Sequence, residues 1–210
     1  MKQIAIIGAT GSTGKEVVRL ALEANYKVTI VARNTEGILP IKNVTILKGD
    51  VKDLESLEIA LKNVDFVISC FDPANNRKIN SLLSIGTSNI VKACEKKGVK
   101  RFVFMSGFVQ ADYSELSFAT KLLMPLFRLI YIESYNDKVT AEATIQNSNL
   151  EWIIVRASGL NKAQPTGKYV AGIKSKIHFV MLPYADCAKC LLDAIEEKKW
   201  TRQIINVGKK

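Results

Sequence analysis

Short runs of uninterrupted apolar residues alternate along the chain with longer stretches in which apolar positions return every third or fourth place. The short runs predict strands over residues 3–7 (QIAII), 27–32 (KVTIVA), 44–48 (VTILK), 66–69 (FVIS), 102–106 (FVFMS), 152–156 (WIIVR) and 204–207 (IINV). Most are apolar without alternation, as strands buried on both faces of a parallel sheet are. The longer stretches predict helices over 14–24, 54–61, 79–97, 138–147 and 185–197. Such alternation predicts an α/β fold, a doubly wound parallel sheet with helices on both faces. Residues 1–210 read as one domain, with the segment after 156 contributing a substrate-side extension.

Composition narrows the class. Hydrophobic residues make up 48% of the chain, yet no run of about 18 uncharged apolar residues appears, so neither a spanning helix nor a signal peptide is expected. The four cysteines, Cys70, Cys94, Cys187 and Cys190, lie in or beside apolar segments, which suggests a reducing cytoplasm. The net charge of +10 is scattered or set beside acids, as in Glu196-Glu197-Lys198-Lys199, and no zinc finger or long basic block accompanies it. A dedicated nucleic-acid surface is therefore not expected. With one histidine, His178, histidine-rich metal sites are excluded, and no metal is expected.

The sharpest local signal is IGATGSTGKEVVRLAL, which follows the first strand and opens the first helix. A nucleotide-triphosphatase loop needs a glycine, four residues, then Gly-Lys and a hydroxyl residue. Here Ala9 stands where that glycine belongs and Glu16 follows Lys15, so that reading fails. Gly8, Gly11 and Gly14, spaced by three, form a variant of the dinucleotide-binding turn. Gly8 makes the tight turn, Gly11 lets the backbone approach the pyrophosphate, and Gly14 lets the helix sit close to the sheet. Thr10, Ser12 and Thr13 fill the rest of the cofactor-binding turn, with free amides of the helix start facing the anion.

In such a sheet the ligand lies across the carboxyl ends of the strands. After the second strand comes Arg33, which can hold the extra phosphate of NADP by paired hydrogen bonds, whereas NAD is usually met there by a carboxylate. This favours NADP(H) over NAD(H). The alternative is that Arg33 stacks on adenine or faces water. After the third strand, Asp50 can accept a bond from the adenine amino group while Val51 packs on the ring, or Asp50 can simply cap a turn. Ser69, at the end of the fourth strand, completes the cofactor-binding set.

These residues resemble the atypical short-chain dehydrogenases/reductases, in particular the NAD(P)H-binding group that includes biliverdin reductase B, a flavin reductase. The likeness runs through IIGATGSTGKEVV, VTIVARN, LKGDVKD, VKRFVFMSG, DKVTAEATIQNSNLEWIIVRASGL, QPTGKYVA and YADCAKCLLDAI. It implies a Rossmann-like fold, Gly8, Gly11 and Gly14 as the cofactor turn, Arg33 as phosphate reader and Asp50 as the adenine-side acid. The fifth-strand serine of the group falls on Ser106, which the resemblance places beside nicotinamide and substrate.

The departures bear on the chemistry. Typical members use tyrosine, three residues, lysine as proton donor and ribose holder. Here Lys138 is preceded four places earlier by Ser134, and Tyr135 is one position off, so Tyr135 and Lys138 offer a different geometry. Tyr135 reads as a candidate donor or a pocket wall, and Lys138 as a ribose holder or the partner of Glu142 at i,i+4. Relatives that reduce biliverdin carry a histidine after the sixth strand, where this chain has Ala157-Ser158-Gly159-Leu160. His178, in an apolar setting, reads as a buried neutral side chain or a partly exposed strand position. Cys187 and Cys190 form a CxxC whose neighbours are apolar, so no redox role is required. The apolar stretch SFATKLLMPLFRLIYIESY is too interrupted to span a membrane; Pro125 should kink or divide it, and it is expected to cover the nicotinamide end or meet a partner subunit.

The expected activity is hydride transfer from NADPH to a flavin, quinone or similar planar acceptor, with Ser106, a backbone amide or water near the atom that becomes electron-rich. The alternative is a non-catalytic NADP(H)-sensing module that binds another protein. Monomer or weak homodimer is the expected state.

Overall fold

The computed structural model describes residues 1–73, 81–130, 132–176, 178 and 180–209. Its elements are β1 (Gln3–Ile7), α1 (Ser12–Glu23), β2 (Lys27–Ala32), β3 (Val44–Lys48), α2 (Leu54–Ala60), β4 (Phe66–Ser69), α3 (Leu82–Lys97), β5 (Arg101–Gly107), α4 (Phe118–Ile130), α5 (Ile132–Gln146), β6 (Trp152–Ala157), β7 (Leu160–Asn161), β8 (Val170–Ile173), β9 (Leu182–Pro183), α6 (Tyr184–Glu196) and β10 (Gln203–Gly208).

The main sheet has eight strands in the order β3-β2-β1-β4-β5-β6-β10-β8; its pairings are parallel except β8 against β10, and β7 pairs with β9 apart from it. The chain first winds outward from β1 to β3, then returns and winds the other way from β4. That reversal opens a crevice between the carboxyl ends of β1 and β4.

Alternation within each strand sends residues to opposite faces. Ile4 and Ile6 of β1 join Val17, Val18 and Ala21 of α1 and Cys187 and Leu191 of α6 in one core. Ala5 and Ile7 join Leu57 of α2, Ile90 and Val91 of α3 and Ile145 of α5 in the other. Both layers are closed, so even the guanidinium of Arg101 is buried; it donates to the carbonyls of Ala194 and Ile195 and caps the carboxyl end of α6.

Helix ends depart from the periodicity in instructive places. The expected start of the third helix at 79–80 lies outside the described residues. The fifth helix begins at Ile132 rather than 138, because its polar first turns are recruited elsewhere: Asp137 accepts the amides of Leu83 and Ser84 and caps α3. Pro125 does not divide α4, which runs through it. Pro125 and Lys121, the residue whose carbonyl it cannot reach, are both exposed, where water can take the orphaned carbonyl. The short β7, β8 and β9, of two, four and two residues, are not among the expected strands. Among the described residues no helix is long and apolar enough to cross a membrane.

Candidate functional site

The crevice is built first by glycine. Gly8 has φ +81, and a side chain there would stand 2.8 Å from the backbone of Cys70 and Phe71, where the chain leaves β4. A Cβ on Gly14 would lie 2.2 Å from the Gly8 carbonyl oxygen, so only glycine lets α1 start this close to β1. The amide of Gly11 donates to the Gly8 carbonyl at 3.1 Å and closes the turn. Helix α1 has no side-chain cap and no acid in its first turn, which leaves its positive end available to an anion. Thr10, Gly11 and Ser12 are exposed at this end, while Thr13 and Gly14 are buried behind it.

From this turn a cleft of about 1380 Å³ runs along the ends of β2 and β3. Gly8, Thr10, Lys15, Arg33, Asp50 and Val51 line it. Arg33 is exposed and has no hydrogen-bond or ion-pair partner among the described residues, whereas Arg19 on the same wall is committed to Glu16 and Glu23. Those two carboxylates raise the pKa of Arg19. Asp50 is occupied locally by the Lys52 amide at 2.9 Å, a turn cap, yet it still faces the cleft. Asn89 of α3 fixes the Val51 carbonyl at 2.9 Å. Ser69 is fully buried at the end of β4 and stands behind the cleft wall.

The other end of the sheet edge is a polar centre inside the protein. Ser106, Arg156 and Asn206 are in register across β5, β6 and β10 and therefore share one face. The Ser106 hydroxyl donates to Glu142 Oε1 of α5 at 2.6 Å. Arg156 clamps the same carboxylate through Nη2 at 2.6 Å and Nε at 3.3 Å. Its Nη1 lies 3.8 Å from Glu115, which accepts from Asn206 at 2.9 Å. All five are buried. Lys138 and Glu142, expected as a pair on α5, turn to different partners: Lys138 donates to Asp72 at 2.6 Å on the cleft wall, and Glu142 faces Ser106 and Arg156. The sheet supplies Glu142 with a buried cation that a neighbour on its own helix could not match.

Tyr135 sits over the Arg128 guanidinium, 5.2 Å from the ring centroid, with Tyr113 on the same cation. Arg128 in turn donates to the carbonyls of Val109 and Ala111. Together with the edge-to-face pair of Phe108 and Phe127, these contacts hold α4 over the turn that follows β5. The outer side of α4 is bare: Phe118 is 88% and Leu122 77% exposed.

His178 is exposed and lies outside any strand, contrary to the buried reading; its neighbours Ile177 and Phe179, like Tyr131 of the apolar stretch, lie outside the described residues. Cys187 and Cys190 are buried free thiols, and burial pushes Cys187 up to about 12, which leaves little thiolate for exchange at neutral pH. Among the described residues no cluster of three potential metal ligands occurs.

Sequence reasoning missed Arg156, Asn206 and Glu115 as a unit. The available signal was a polar residue near the end of each of three otherwise apolar strands. Glu36, which also lines the cleft, was missed because it lies beyond the strand end.

Among known proteins, the family model described as NAD(P)H-binding matches residues 8–198. The photosystem II assembly factor Ycf39 of Synechocystis is 28% identical over 164 residues, 75% of this chain but only 44% of that protein, so the chain spans less than half of that relative's length. A short-chain dehydrogenase/reductase from Veillonella parvula, solved in complex with NADP, superposes with a TM-score of 0.82 at 20% identity, covering 99% of this chain and 94% of its own. The anaerobilin reductase ChuY from Escherichia coli superposes with a TM-score of 0.80 at 20% identity, covering 98% and 96%. At these identities the likeness of the two structures is one of fold.

Proposed function

Because the chain belongs to the NAD(P)H-binding family, we propose that it is a reductase that prefers NADPH and passes its hydride to a flavin, a quinone or a similar planar conjugated acceptor. One observation carries the reading: the turn that leads into the uncapped α1, through Gly8, Ala9 and Thr10, and the Arg33 guanidinium, without a partner among the described residues, line a single cleft. The amides opening α1 hold the pyrophosphate, and Arg33 holds the 2′-phosphate with charge-assisted hydrogen bonds. Asp50 accepts the adenine amino group and Val51 covers its ring. Lys138, held at the cleft wall by Asp72, is the group in reach of the nicotinamide ribose. The cradle that a side chain on Gly8 or Gly14 would fill supports this assignment.

Bound NADPH supplies the hydride. Ser106 acts through its oxygen: its proton is committed to Glu142, so it presents lone pairs to a neighbouring ligand and orients it. Water then supplies the proton to the reduced acceptor. Tyr135, stacked on Arg128, serves as a wall. A flavin or quinone suits this arrangement, since its reduced form takes a proton from water, whereas an ordinary ketone needs a placed acid.

A screen of the purified protein with NADPH and NADH against flavins, quinones and small aldehydes tests the reading. Oxidation of NADPH by a conjugated acceptor well above the free reaction supports it; preference for aldehydes would sink it. If nothing is reduced, the second reading takes over, an NADP(H)-sensing module that docks on another protein. The exposed apolar side of α4 favours that reading, and the Synechocystis relative is described as an assembly factor.

A further inference from the structure

Helix α4 turns its apolar side outward. At roughly 100° per residue, Pro125, Phe118, Leu129, Leu122, Leu126 and Leu123 succeed one another around an arc of about 160°. Every position of α4 on that arc is exposed and apolar. The opposite side is the one that packs: Thr120 and Met124 are buried, Met124 against Ala111 and Leu116. A surface helix ordinarily does the reverse, with its apolar side to the core and its polar side to water. One margin of the arc is cationic. Arg128 there is held by the carbonyls of Val109 and Ala111, whereas Lys121 is exposed and has no carboxylate partner among the described residues. No acid occurs from Ser117 to Ile132, and Glu115, just before that stretch, is buried.

We infer that α4 docks in the interface of an anionic lipid bilayer, lying in its plane with this arc among the acyl chains and Lys121 at the headgroups. Three observations choose this occupant. The arc is wider than the seam along which one helix meets another, so a second copy of α4 would leave part of it wet, whereas acyl chains cover it all. It holds no side chain that can hydrogen-bond, and a specific protein interface carries about one hydrogen bond per 100–200 Å². The charge has the right sign: each copy carries +10, which repels a second copy and draws the chain to anionic headgroups. With 13 residues, α4 is about 20 Å long, too short to cross the hydrocarbon core but long enough to lie at its surface. The inference does not rest on the reductase reading, because docking is measured without cofactor or acceptor.

Sedimentation of the full chain with vesicles tests it, using phosphatidylcholine alone and phosphatidylcholine with about one-third phosphatidylglycerol. Wild type should partition onto the anionic vesicles about tenfold or more above the neutral ones, and the difference should shrink as salt rises. Leu122→Gln together with Leu129→Gln removes two exposed leucines from the arc and should lower partitioning by about tenfold or more, with a melting temperature near that of wild type. Lys121→Glu should cost about tenfold on anionic vesicles. Lys62→Glu makes the same charge change at an exposed position where the chain enters β4, at the opposite edge of the sheet, and should cost less than about threefold. No partitioning of wild type onto anionic vesicles would overturn the inference and leave the face to a protein partner, and equal binding to both kinds of vesicle would overturn the choice of an anionic surface. Equal losses in Lys121→Glu and Lys62→Glu would overturn it as well, since the attraction would then be one of total charge. So would a dimer in vesicle-free sedimentation that the paired leucine substitutions dissociate, which would give the face to a second copy.

Discussion

The two ends of the sheet's carboxyl edge are built on opposite principles. At the β1–β3 end what matters is what is missing: side chains at Gly8 and Gly14, a cap on α1, and, among the described residues, a partner for Arg33. At the β5–β6–β10 end the groups are present and tied down, Ser106 to Glu142, Glu142 to Arg156, Arg156 and Asn206 to Glu115. The first end stays open for a charged ligand; the second is a prepaired floor that keeps its shape before anything binds. Substitutions should therefore cost affinity at one end and folding stability at the other.

The largest effect tests the floor. Glu142→Ala leaves Arg156 buried and without its bidentate partner, and the expected loss is about 3–5 kcal/mol of unfolding free energy, read by urea denaturation. An unchanged midpoint would mean that the floor is not held by this pair. At the open end, Arg33→Ala should leave stability alone and weaken NADPH by roughly 1.5–3 kcal/mol, with a much smaller change for NADH. Calorimetric titration with both cofactors decides; equal losses would remove Arg33 as the phosphate reader.

The same contrast explains what could be read from sequence. The strands of the parallel sheet and the glycine turn are legible because each rests on local chemistry: unbroken apolar runs, and glycines that only a tight turn and a close helix require. Arg33 is legible because it sits at a strand end. The floor is assembled by register: Ser106, Arg156 and Asn206 lie far apart in sequence and meet only when β5, β6 and β10 align, and Glu142 looks from its own helix like a partner for Lys138.

A smaller effect is expected where floor meets ligand. Ser106→Ala removes an orienting oxygen and should cost roughly 1–2 kcal/mol of barrier, about five- to thirtyfold in single-turnover oxidation of bound NADPH by a flavin or naphthoquinone. NADPH affinity should stay near normal. Tyr135→Phe should change little, because the ring and not the hydroxyl meets Arg128. Abolished turnover in Tyr135→Phe with an active Ser106→Ala would reassign the proton donor and make this end a proton-delivery site.

The smallest effect sharpens the open end. Glu36 lines the same cleft as Arg33, and its exposed carboxylate is a like charge for a 2′-phosphate held there. Its backbone is fixed by the Asn34 side chain, which accepts the Glu36 amide at 2.9 Å. Repulsion across a solvent-filled cleft is weak and screened by salt, so Glu36→Gln should tighten NADPH by only about 0.2–1 kcal/mol, roughly 1.4- to fivefold, most clearly at low ionic strength. NADH, with no phosphate at that position, should be indifferent, unless Glu36 accepts a hydrogen bond from its ribose. In that case NADH would weaken as NADPH tightens, and the open end would hold a reader for each cofactor, Arg33 for the phosphate and Glu36 for the hydroxyls. Titration of both cofactors at two salt concentrations separates the cases: a gain for NADPH that survives high salt would mean that Glu36 acts by shape and not by charge.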